Sequence, residues 1–179
     1  MQIKSKASFV SSGAVTRSCV AIAVGAGCAG APVRKDPVAT AAATEQTHCG
    51  HGLAEDPRIF APGLVTGIAP VMRSQRLGKS EREVLVGVEI AIPAQPGLTS
   101  EWITRNLICH QASHLLGHAA ASQDAYWLPG TWLEFGVQSR GDLFLVDIYA
   151  ADPDSANAIL TRTRAFVAHG GIAPGHAAL

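Results

Sequence analysis

The chain has 179 residues, with 14 basic and 14 acidic side chains and a pI near 7, so it carries no bulk charge that would recruit nucleic acid or an anionic membrane surface. Hydrophobic residues make up 47% but aromatics only 6%. That balance suits one domain with a modest core plus appendages, and it argues against two full domains.

At the N-terminus, Lys4, Lys6 and Arg17 precede a short apolar run, Cys19 to Ala26, that ends in small residues. This is the layout of an export signal, residues 1–27, and the run is shorter than the ~20 apolar residues a spanning helix needs. Gly25-Ala26-Gly27-Cys28 resembles the bacterial lipobox, with Gly25 where Leu is usual. The resemblance implies lipidation of Cys28, and Ala29 after it implies a periplasmic domain anchored to the outer membrane. Ordinary secretory cleavage is the alternative. One acyl chain binds a bilayer weakly, so anchoring rests on the several chains of a mature lipoprotein. If Cys19 leaves with the signal and Cys28 carries lipid, Cys49 and Cys109 remain, and in an oxidising compartment they can form one disulfide.

Residues 28–58 are rich in Ala, Pro, Thr and Gly and read as a flexible tether. Near its far end, Thr47-His48-Cys49-Gly50-His51-Gly52 sets two His around a Cys, with glycines that let the backbone fold about an ion. The plainer reading is a polar loop. The folded domain is expected over 59–170. Phe60 to Met72 is at best an edge strand, because Pro62 and Pro70 cannot donate ladder hydrogen bonds. Arg73 to Glu83 reads as a solvated loop. Val84 to Ile92 is the clearest strand, with Val84, Val86, Val88, Ile90 and Ile92 on one face.

Thr99 or Ser100 can cap a helix that runs toward His118, with Glu101 in its first turn. Trp132 to Gln138 and Leu143 to Tyr149 form a hairpin across Ser139-Arg140-Gly141-Asp142, a turn that fully explains the Arg-Gly-Asp triplet. Leu133, Phe135 and Val137 on the first strand, and Phe144, Val146 and Ile148 on the second, should face the core. Asp152, Pro153 and Gly170 then bracket a last helix with an apolar face of Ala156, Ile159, Leu160, Phe166 and Val167. Residues 171–179 read as a loose tail, with His169 and His176 at the surface.

This order predicts an α+β two-layer sandwich, a ferredoxin-like βαββα-type antiparallel sheet with two helices on one face. Its expected final strand is missing unless the Phe60 to Met72 segment fills that edge.

The combination of PGLTSEWITRNLICH, a His eight residues on, and LFLVDIYAADPDSANAILTR resembles a family of small uncharacterised exported proteins from Proteobacteria, over roughly Leu64 to Val167. The resemblance implies a Cys-His pair in the first helix, matched by Cys109 and His110, a later His matched by His118, and a further Cys in the following loop. Here that loop reads QDAYWLPGTW and has no Cys. The resemblance supports fold and export more than chemistry.

The helix carries the densest group of metal-competent side chains. At 100° per residue His110, His114 and His118 step along one band, and neighbours four apart can converge on one ion. His110 and His118 rise about 12 Å apart, too far for all three to hold one ion, so the helix offers a two-ligand half-site. Cys109 points about 100° from His110 and suits a packed thiol or a disulfide better than a shared ion.

If His48, Cys49 or His51 folds onto the helix, either a Cys/His site for copper or zinc forms, or a Cys49–Cys109 disulfide lies beside a His stripe. Cys109 near a His could act as a nucleophile, but no acidic orienter or oxyanion loop is visible. Phosphate-loop, HExxH and paired-carboxylate signatures are also lacking.

The sequence therefore points to a non-enzymatic, lipid-anchored binding domain with a copper or zinc site drawn from Cys109, His110, His114, His118, His48, Cys49 and His51. The alternative is an envelope structural or protein-interaction module with the disulfide and no metal. Its only expected membrane contact is the lipid anchor. Replacing Cys28 by Ser should move the protein out of the membrane fraction, and unchanged fractionation would refute lipidation.

Overall fold

The computed structural model describes residues 36–50, 56–120 and 122–170. The expected export signal, Cys19, Cys28, His51 and the tail with His176 lie outside them. Among the described residues no helix is long and apolar enough to cross a membrane.

Four helices and four strands follow one another as α1 Pro37–Thr44, α2 Pro57–Phe60, β1 Gly67–Leu77, β2 Ser80–Pro93, α3 Ser100–Leu115, β3 Glu134–Arg140, β4 Leu143–Tyr149 and α4 Pro153–His169. The strands form one antiparallel sheet in the order β1-β2-β4-β3. The expected two-layer α+β architecture is what the chain adopts, with α4 packed on β2 and α3 on β3. β4 lies between β2 and β3, the strands that α3 connects. The edge beside β2, which a βαββα series leaves open, is filled by β1 from the N-terminal side.

The second hairpin forms, β4 over the whole of the expected Leu143–Tyr149 and β3 two residues later than expected; Ser139 and Arg140 pair with Phe144 and Leu143, so the turn is Gly141-Asp142, with Gly141 at φ +63. The alternation read from the strands marks the core from Val88 onward; before it the bulge at Val86 changes the phase, so that Leu85, expected on the other face, packs against the core in place of Val84 and Val86. Val88, Ile90 and Ile92 of β2 and Phe144, Val146 and Ile148 of β4 are buried together with Leu133, and Phe135 and Val137 pack at the margin. Both long helices start where their caps predict. The Thr99 hydroxyl accepts from Trp102 N at 3.2 Å, and Asp152 Oδ1 accepts from Ser155 N at 2.8 Å.

Three segments differ from expectation. Arg73 to Glu83 is the outer part of a long β1–β2 hairpin, paired Arg73↔Val84 through Leu77↔Ser80. Its polar composition hides a strand because, outboard of the helical layer, both faces meet solvent and apolar alternation is not required. Gly78 at φ +64 supplies the two-residue turn.

The tether expected over 28–58 is, from Pro37 to Cys49, an ordered helix followed by a π-helical turn, Glu45–Cys49. Asp36 caps it and Pro37 opens it, while Ala41 and Thr44 are buried against α3. Its alanines suit a helix as well as they suit a linker, and a packing partner decides between the two.

The third difference concerns α3, which stops at Leu115. Gly117 turns left-handed at φ +74, and Gly117 N bonds His114 O while His118 N bonds Ser113 O. His118 therefore leaves the stripe that a longer helix would have continued.

β1 and β2 slip register at Val71/Met72, so that Val71 faces Gly87 and Met72 faces Leu85. Val86 is the extra residue, and its carbonyl accepts from Ala150 N at 2.9 Å. Beside it, Gly87 passes β4 so closely that a Cβ there would stand 2.0 Å from Ile148 O, a backbone atom that cannot step aside. Gly87→Ala should cost about 1–3 kcal/mol in chemical denaturation, as overpacking does, whereas Gly63→Ala, with open space around it, should be close to neutral.

A candidate metal centre on helix α3

The site starts from two histidines one helical turn apart. His110 and His114 project from the same side of α3, with ring centroids 4.4 Å apart and planes at 73°. Their side chains are each only 3% exposed. Each ring is held by an aromatic partner. Phe60 stacks on His110 at 4.2 Å, and Trp127 stacks on His114 at 4.4 Å with an interplanar angle of 4°.

Facing them is Asp124, in the loop between α3 and β3. Its Oδ2 lies 3.0 Å from His110 Nε2 and 4.0 Å from His114 Nε2. Ser122 Oγ donates to the same oxygen, stands 3.2 Å from His114 Nε2, and accepts from Trp127 Nε1 at 2.9 Å. The other carboxylate oxygen, Oδ1, accepts from Tyr126 N at 2.8 Å, which turns the loop back on itself.

Two long-range clamps set where this loop stands. From α4, the Arg162 guanidinium donates to Asp124 O at 2.6 Å and to Ser122 O, and lies 5.0 Å from the centre of the Trp127 ring. From α3, fully buried Gln111 pairs with the backbone of Leu133 in both directions, donating to its carbonyl at 3.1 Å and accepting from its amide at 2.8 Å. The loop thus spans the two helices and has both ends fastened.

Burial pushes the Asp124 carboxyl up, but the hydrogen bond and charge of His110, the Ser122 hydroxyl and the Tyr126 amide outweigh it and leave the group below its ordinary value. Asp124 is therefore ionised and accepts only. His110 Nε2 must donate to it, and because the Ser122 hydrogen is also given to Asp124, His114 Nε2 donates to Ser122. Tyr126, two residues on, is wholly buried, and its hydroxyl has no hydrogen-bond partner among the described residues. Burial and the neighbouring Asp124 charge raise the pKa of that phenol.

One ligand atom from each of His110, His114 and Asp124 lies within 4.8 Å of the others, so this buried trio can hold one metal ion. An ion bound through Nε2 of either ring would take the place of the hydrogen now on that nitrogen.

The other expected ligands go elsewhere. Cys49 and Cys109 are joined in a disulfide across a sequence separation of 60, so neither sulfur is a thiolate ligand in this state. His118 Nδ1 lies 3.0 Å from Glu45 Oε1 at the surface. The His48 carbonyl accepts from Arg105 Nε at 2.7 Å, and His48 lines an open cleft with Glu101, Thr104, Arg105 and Ile108. At 100° per residue those four lie on the opposite side of α3 from His110 and His114.

Of the seven expected metal ligands, the structure brings His110 and His114 together, and the residue that completes them is one the sequence reading passed over. Asp124 lies past the end of the helix, at no spacing that links it to His110 or His114 in the sequence. The one local hint was the Asp124-Ala125-Tyr126 turn, in which the Asp124 carboxylate accepts from the Tyr126 amide. Comparison with protein-family models, curated proteins and solved structures finds no match to this chain. The chemistry therefore rests on the geometry of the site.

Because the folded-state pKa of Asp124 is depressed, its contribution to stability is complete above the ordinary value of 3.8 and is lost as pH falls through the lower folded value. Asp124→Asn in metal-free protein should cost about 1–3 kcal/mol at neutral pH. The gap to the unsubstituted protein should narrow as the pH drops below about 4, in urea denaturation measured across pH.

Proposed function

We propose that this chain is an exported, lipid-anchored domain that binds one divalent transition-metal ion, zinc or copper(II), at His110, His114 and Asp124. The observation that carries the reading is the buried convergence of two imidazoles and an ionised carboxylate within 4.8 Å. The donor set narrows the metal. With Cys49 and Cys109 joined in the disulfide, no thiolate is left among the described residues to favour copper(I), and two nitrogens with one oxygen suit zinc or copper(II). Three protein ligands leave one position of a tetrahedral ion to be supplied.

Membership of the exported proteobacterial family belongs to the same proposal, with Asp124 lying in the loop where that family's pattern has a Cys. The disulfide favours a second reading, an envelope structural or interaction module in which the His110–Asp124 pair is a metal-free part of the core.

Titration calorimetry on chelator-stripped protein separates the two. The metal reading expects one equivalent of zinc or copper, and an affinity reduced at least about tenfold in Asp124→Asn and further in His110→Ala, His114→Ala. Absence of stoichiometric binding, or binding indifferent to these substitutions, leaves the structural module as the answer.

A further inference from the structure

We infer that Ser122 supplies the fourth ligand of the metal through its hydroxyl oxygen, making the centre a closed N2O2 site; this rests on the metal reading above. Two of the three ligand atoms surround that oxygen already. Ser122 Oγ is bonded to Asp124 Oδ2 and lies 3.2 Å from His114 Nε2, the spacing that ligand atoms about 2.0–2.1 Å from a tetrahedral ion keep from each other.

The hydroxyl is oriented as a ligand would be. Its hydrogen is given to the carboxylate, and Trp127 Nε1 occupies one lone pair at 2.9 Å. The second lone pair lies on the His114 side. An ion entering between the rings would take that lone pair in place of the His114 N–H; the hydroxyl keeps its own proton, and the hydrogens on the two Nε2 atoms are displaced.

Nor is the position of Ser122 accidental to the loop. The Arg162 guanidinium grips the carbonyls of both Ser122 and Asp124, so a single clamp from α4 sets the two oxygen donors together. The Trp127 indole has one face on His114 and its N–H on Ser122, which ties the serine to the second nitrogen donor. A site closed in this way has no position left for a metal-bound water, and its chemistry is retention of the ion rather than hydrolysis.

The test uses the full oxidised chain, zinc for affinity and cobalt(II) for spectroscopy. Ser122→Ala should weaken zinc binding about tenfold or more, and Ser122→Cys should keep binding cobalt and add a thiolate-to-cobalt charge-transfer band in the near ultraviolet that the unsubstituted protein lacks. Zinc affinity unchanged in Ser122→Ala, with no new band in Ser122→Cys, overturns the inference while the three-ligand site stands. Failure of the unsubstituted protein to bind zinc or cobalt overturns the site itself and the inference with it.

Discussion

A carboxylate carried into the interior is the constraint around which this molecule is arranged. Asp124 is ionised although it is 7% exposed, and an unpaired charge there would be prohibitively costly. Every group around it answers that demand: His110 and Ser122 on one oxygen, the Tyr126 amide on the other, Arg162 on its carbonyl. Those partners come from α3, the loop itself and α4. The bonds to the Asp124 side chain from α3 and to its backbone carbonyl from α4 together fix the loop against both helices.

The two sides of α3 have separate roles. One side carries His110, Gln111 and His114 toward the loop and the core. The flank bearing Cys109 receives the N-terminal helix and its π-helical turn, locked by the disulfide, by Arg105 on the His48 carbonyl and by His118 with Glu45. Closing a loop of some 60 residues, the disulfide contributes about 4 kcal/mol in the chain-entropy picture, far more than the exposed His118–Glu45 pair can. It also keeps both sulfurs out of the His110–Asp124 group, because neither is a thiolate while the disulfide is formed. The buried His110–His114–Asp124 group and the fastening of the N-terminal segment are therefore separate features of one helix.

The sheet shows why local pattern succeeded where it did. β2 and β4 alternate because one face is covered by helices, and the same alternation marks their core residues without any knowledge of partners. Caps are equally local: Thr99, Asp152 and Pro153 act within one turn of themselves. The outer hairpin and α1 escaped because their signals depend on context. A solvated strand has no apolar period, and an alanine-rich helix of 8 residues forms only against a surface that buries it.

For the site, the sequence by itself determined the i, i+4 histidine pair, its limitation to two ligands, and the orientation of Cys109 away from it, all consequences of helical geometry. Only the tertiary structure decided that Gly117 ends the helix before His118 and that Cys49 reaches Cys109. It alone decided that the group beside the two histidines is Asp124, 14 residues beyond His110. Convergence of that kind has no period or spacing to betray it. It arises because Gln111 and Arg162, on different helices, pull one loop onto a third set of side chains, and such coupling exists only once the chain is folded.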